Sequence, residues 1–252
     1  MKKLYRKSEL GFALLWIGAY CVLMSVGDSL SQSLGVEKSV TLPVAVILSA
    51  ALFVFIRKNG LSGRYGLCKS CVSASGVLYY VPLLLLMTVN MWHGFEMKLS
   101  VTETVIYALA MLLVGFLEEV IFRGLLFGAM KKDSLKVAVI VSSLTFGMGH
   151  IINLINGSGE ELFENILQVI YASAAGFMLV MLYLKTKSLL VPIAFHGIFN
   201  ALSAFSDEGA LTEKDRIVSC CFLVAVSTGY ALYLALSGRR DGKKTDDNTA
   251  CK

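Results

Sequence analysis

An all-α bundle of eight transmembrane helices, with both termini on the cytoplasmic side, is the fold this sequence predicts. Three observations carry that reading. Of 252 residues, 56% are hydrophobic and 16% charged, with a mean hydropathy of +0.69, too apolar for a soluble domain of this size. Apolar stretches of about 17–25 residues, each long enough to cross a bilayer as a helix, recur along the chain. Basic and acidic residues alternate between the connectors that join them.

The stretches lie near 10–27, 40–56, 76–92, 104–130, 136–153, 163–184, 188–206 and 217–237. The first follows a basic start and imitates a secretory leader. Ala19-Tyr20-Cys21 offers neither a small-residue processing site nor a lipoprotein box, so the helix is retained. The second runs to Arg57-Lys58, and the third ends at Trp92-His93. The fourth must hold Glu118, Glu119 and Arg123, and continues past them to Lys131-Lys132. The fifth starts at Lys136, and the sixth runs from the acidic Glu160, Glu161 and Glu164 to Lys185. The seventh begins at Ser188, and the eighth precedes a polar tail, 238–252, that reads as disordered. Residues 1–237 therefore form a single domain.

The net charge of +5 does not point to nucleic acid. With the N-terminus inside, all of the 23 basic residues except Lys38, Lys98, Arg123, Lys214 and Arg216 fall in cytoplasmic segments. The opposite loops are acidic, as in Asp207, Glu208, Glu213 and Asp215. The positive-inside rule accounts for this pattern, with membrane lipid as the partner. Trp16, Tyr20, Tyr79, Tyr80, Trp92 and Tyr183 are candidate interface anchors, and His93 falls in the same belt. Gly124 with Gly128, and Ala172 with Gly176, permit close helix approach. Cys68 and Cys71 lack the second ligand pair that a zinc site of their spacing needs.

Charged groups at membrane depth are costly and persist where they are buried, paired and functional. Glu119 and Arg123 are four apart, share a helix face and can pair, while Glu118 points aside toward a cavity. Counting along each helix, Glu118 lies about 18 Å from the basic end, His196 about 12 Å and His150 about 21 Å. Unrelated core residues have no reason to share a level. His196 and Asn200 share a face and can donate hydrogen bonds to an oxyanion. Phe146 sits one turn before His150, and Gly147 and Gly149 leave room for a neighbouring helix or a substrate backbone. Glu118, His150 and His196 also make a candidate zinc set with one position left for water.

The ordered set Glu118-Glu119-x-x-x-Arg123, Phe146-x-x-x-His150 and His196-x-x-x-Asn200 resembles the CAAX-protease and bacteriocin-processing (Abi) family of intramembrane proteases, relatives of the type II CAAX prenyl endopeptidases. The resemblance covers about residues 104–206. It implies an eight-helix bundle with an active site in the membrane that opens toward the cytoplasm. It also implies hydrolysis of a peptide bond in a membrane-associated peptide or protein precursor. Glu118 and His150 would activate the water, and His196 and Asn200 would stabilise the oxyanion. Glu118, Glu119, His150, His196 and Asn200 are thus the candidate catalytic residues, with Arg123 and Phe146 in support. The family's dependence on zinc or on a glutamate-activated water is left open by the residues. The charge pattern and the absence of a targeting motif fit a bacterial plasma-membrane protein, for which a peptide precursor suits better than a CAAX tail. Two other classes fit the same residues: a non-catalytic scaffold or bacteriocin-immunity factor, and a small proton-coupled transporter. The scarcity of prolines (Pro43, Pro82 and Pro192) and the lack of internal repeats weigh against transport.

Overall fold

The computed structural model describes residues 1–72, 77–156, 161–207, 209 and 211–241. Regular structure among the described residues is helical, with one isolated antiparallel bridge between Phe95 and Ser206. The helices are α1 (Lys2–Lys7), α2 (Glu9–Ser33), α3 (Thr41–Lys58), α4 (Val77–Met87, prolonged by a 3-10 turn to Met91) and α5 (Val101–Met130). They continue with α6 (Leu135–Gly149, prolonged to Leu154), α7 (Leu162–Thr186), α8 (Leu190–Leu202, prolonged to Phe205) and α9 (Glu213–Asp241). Six of them, α2, α3, α5, α6, α7 and α9, are long and apolar enough to cross a membrane. Helices α4 and α8 stand where two of the expected spans lie but are shorter. The chain is a multi-pass membrane protein. Residues 238–241 of the expected tail are helical, and 242–252 lie outside the described residues.

Local chemistry sets several helix ends. Ser8 accepts from the Gly11 amide at 2.9 Å and starts α2. Ser100 and Glu103 form a reciprocal capping box at the start of α5. Ser134 starts α6, and Lys187, in the left-handed region at φ 55°, ends α7. Pro43 and Pro192 occupy first turns, where a missing N–H costs nothing. Helix α5 passes through its charges without a break, as its sequence predicts, but residues 119–126 widen into a π-helix, a form that recurs at functional sites.

A closer backbone crossing than those at Gly124, Gly128 or Gly176 lies elsewhere in the bundle. A Cβ added to Gly115 of α5 would lie 2.5 Å from the Gly197 nitrogen of α8. Backbone meets backbone there, one turn before Glu118 and next to His196. A Cβ on Gly147 would collide with Ser173, and one on Gly176 would lie 2.9 Å from the Ser143 carbonyl oxygen, so these glycines let α6 and α7 pack closely. Gly149 has open space around it. Gly115→Ala is expected to push α5 from α8, at a cost of about 1–3 kcal/mol, and to lower activity further by separating Glu118 from His196. Thermal unfolding in detergent checks this against Gly18→Ala, where nothing lies within 4 Å.

Among the described residues, packed side chains fill the basic end of the bundle. Tyr65, Phe127 and Leu189 are buried there, at 2%, 0% and 0% exposure. The loop after α3 is held over them: the Leu189 amide donates to the Gly66 carbonyl at 2.7 Å, and the Ser188 hydroxyl donates to the Cys68 carbonyl. Glu9 joins Arg64 and Lys132, while Arg64 and Tyr65 both donate to the Tyr5 hydroxyl. Burial, and then the nearby Lys187, Arg64 and Lys132, push the Lys131 ammonium below its ordinary range.

Candidate active site

Helix α5 presents its two adjacent carboxylates to different surroundings. Glu119 is fully buried and accepts from Arg123 Nη1 at 2.9 Å. Arg123, also fully buried, donates to the Gly176 carbonyl at 3.4 Å and lies over the Phe146 ring at 4.1 Å. Countercharge, carbonyl and aromatic face thus offset the cost of burying a guanidinium at membrane depth. Glu118 retains 12% side-chain exposure, and its Oε1 accepts from the Tyr20 hydroxyl at 2.6 Å. Its Oε2 makes no hydrogen bond and faces His196 Nε2 at 3.4 Å.

The histidine hydrogen bonds restrict where protons sit. His196 Nδ1 lies 2.8 Å from Glu119 Oε1, an acceptor, so Nδ1 carries the hydrogen and Nε2 is left toward Glu118. His150 Nδ1 lies 3.1 Å from the Phe146 carbonyl, which can only accept, so the neutral ring keeps its lone pair on Nε2. The Phe146 ring touches both imidazoles edge-on, with centroids 5.2 Å from His150 and 5.5 Å from His196.

These groups share one cavity of about 640 Å³, within the range of small-ligand sites. Glu118, Phe146, His150, His196 and Asn200 line it; Glu119 and Arg123 do not. Glu119, expected beside the reacting atoms, therefore reaches them only through His196. The cavity also differs in direction from the expectation of an opening at the basic end. Its wall rises through Tyr20, Asp28, Lys38, Asn156, Glu164 and Arg216 toward the opposite end. Ion pairs of 2.9 Å (Lys38–Asp28) and 3.1 Å (Arg216–Glu164) stand there. His93, assigned to the interface belt, lines this outer part.

Tyr20 is the site residue that the sequence reading missed. Taken as an interface anchor, it is 8% exposed and bound to Glu118. Its position was a usable signal, since residue 20 falls near the middle of α2 and not at an end. Trp16 and Tyr183 are likewise packed inside, at 7% exposure each, while Trp92 is 40% exposed. The side chain of Tyr79 lies outside the described residues. Tyr20→Phe is expected to lower kcat about tenfold, the worth of a hydrogen bond to a charged group. KM should be unchanged and the melting temperature nearly so; a loss of stability with no change in kcat would make Tyr20 a packing residue.

The candidate zinc set does not fit as arranged. Among the described residues no group of three His, Cys, Asp or Glu side chains could hold a metal ion.

Residues 100–202 match the family described as type II CAAX prenyl endopeptidase Rce1-like. Over that span the chain is similar to this family. Comparison with curated proteins gave no match. The Rce1-like segment runs from the cap residue of α5 to the last residue of α8, and so contains every motif residue. Tyr20, Asp28 and Lys38, and the α9 residues of the cavity wall, lie outside it. The Rce1-like family supports a membrane protease.

Proposed function

We propose that this protein is an intramembrane endopeptidase that hydrolyses a membrane-associated peptide or protein precursor by a glutamate-activated water. The helices α2 to α9 cross a bacterial plasma membrane eight times, with both termini in the cytoplasm. The observation that carries the proposal is the placing of Glu118 Oε2, unbonded, 3.4 Å from His196 Nε2 in a cavity that His150 and Asn200 also line.

Water held between Glu118 Oε2 and the His150 Nε2 lone pair gives a proton to Glu118 as its oxygen bonds to the scissile carbonyl carbon. The carbonyl oxygen becomes an oxyanion that accepts from the Asn200 amide and, in the imidazolium form, from His196 Nε2–H. Collapse breaks the C–N bond, and Glu118 returns its proton to the leaving amine. Tyr20 holds the carboxylate in position, and the buried Glu119–Arg123 pair fixes the His196 ring. No step in this scheme runs through a metal.

Purified protein in proteoliposomes should generate new termini in a set of membrane-anchored peptides. His150→Ala should reduce that rate about 10²–10⁴-fold, the usual share of a group acting in proton transfer, while the protein remains folded. A biological effect that survives His150→Ala would favour the scaffold or immunity reading. Proton-coupled solute flux without new termini would favour a transporter.

A further inference from the structure

We infer that the cavity is served from the non-cytoplasmic side of the membrane, so that its substrate is an extended, outward-facing segment of a membrane-anchored polypeptide. This rests on the hydrolase reading and adds the compartment and form of the substrate. The first support is which part of each helix forms the wall. From α2 the wall takes Tyr20 to Asp28, from α5 Tyr107 to Phe122, and from α9 Arg216 to Ser227. In each case these residues run from mid-helix toward the loops that hold Lys38, Asp207 and the start of α9. The basic segments 57–70, 131–134 and 185–189 contribute no described residue to the wall.

The second support is the closure of the basic end, where Tyr65, Phe127 and Leu189 fill the bundle beneath the loop that carries Gly66. An approach from that side would have to pass through close-packed side chains. The third is charge. The closed end carries Arg64, Lys131, Lys132 and Lys187, and positive-inside topology puts such an end in the cytoplasm.

The dimensions state what can enter. From Tyr20 to Asp28 the helix rises about 12 Å, and from Tyr107 to Glu118 about 17 Å. A strand at about 3.3 Å per residue fills that depth with roughly four or five residues. Around the mouth, the Lys38–Asp28 and Arg216–Glu164 pairs and the Asn156 amide supply donors and acceptors of both kinds. They suit a peptide backbone better than a ligand of one charge. A CAAX tail exposed in the cytoplasm would stand at the closed end.

The test separates orientation from chemistry. The full chain, with its six cysteines replaced, carries Ser25→Cys in the cavity wall or Asp133→Cys at the basic end. Each variant meets a charged, membrane-impermeant maleimide in right-side-out and in inverted membrane vesicles. Ser25→Cys should react at least tenfold faster in right-side-out vesicles, and Asp133→Cys in inverted ones. In parallel, new protein termini are compared between cells with the wild type and with Glu118→Ala. Glu118-dependent cleavage should fall in outward-facing segments. Faster labelling of Ser25→Cys in inverted vesicles, or Glu118-dependent cleavage in cytoplasmic segments, would overturn the inference. Labelling from outside with no Glu118-dependent termini would sink the hydrolase reading, and the substrate assignment with it, while leaving the orientation standing.

Discussion

Glu118→Gln is expected to lower peptide hydrolysis by about 10²–10⁴-fold and to leave the melting temperature within a few degrees of the wild type. The substitution keeps the shape of the side chain, and its amide oxygen can still accept from the Tyr20 hydroxyl, now at 2.6 Å from Oε1. What it removes is the ability of Oε2 to take a proton from water. Glu118→Asp separates the two contributions. It keeps the charge but shortens the side chain by one methylene, so the carboxylate cannot meet Tyr20 and face His196 together. Activity between wild type and Glu118→Gln is expected. Single-turnover cleavage of an anchored peptide in proteoliposomes measures all three proteins. Full activity in Glu118→Gln would remove Glu118 as the base.

Arg123→Ala is expected to destabilise the protein by about 3–5 kcal/mol, because it leaves a buried carboxylate without its countercharge. Both partners have 0% side-chain exposure, and no solvent can substitute for the lost guanidinium. The Gly176 carbonyl and the Phe146 face also lose their partner. The double variant Glu119→Gln with Arg123→Met removes both charges at similar volume and should recover most of the stability. It should not recover full activity, since a neutral amide is a weaker acceptor for His196 Nδ1–H than the carboxylate now 2.8 Å away. Unfolding by heat or by added SDS from mixed micelles measures the first effect, and cleavage rate the second. An Arg123→Ala protein as stable as the wild type would show that the pair bears no structural load.

Much of the site was legible because its signals are local or one-dimensional. Charge in an apolar run marks Glu118, Glu119 and Arg123, and i,i+4 spacing announces the Glu119–Arg123 pair. Counting residues along separate helices brings His150 and His196 near the level of Glu118. Other features could not be reached that way. The crossing at Gly115 and Gly197 depends on which helices are neighbours, and two lone glycines do not declare it. Tyr20 looks like any amphipathic ring in an apolar helix until α2 is set against α5. The direction of the cavity is likewise a property of the assembled wall.

From its sequence alone this chain was determined to be an all-helical, multi-pass membrane protein carrying an acid–imidazole–amide set, because hydropathy, charge and helical periodicity are sums over neighbours along the chain. Only the tertiary structure decided which carboxylate meets the cavity and which is sealed behind it. It also decided that Tyr20 meets Glu118 and that packed side chains fill the basic end among the described residues. Those outcomes depend on distances between residues about a hundred positions apart, such as Tyr20 and Glu118, which packing determines and local pattern does not encode.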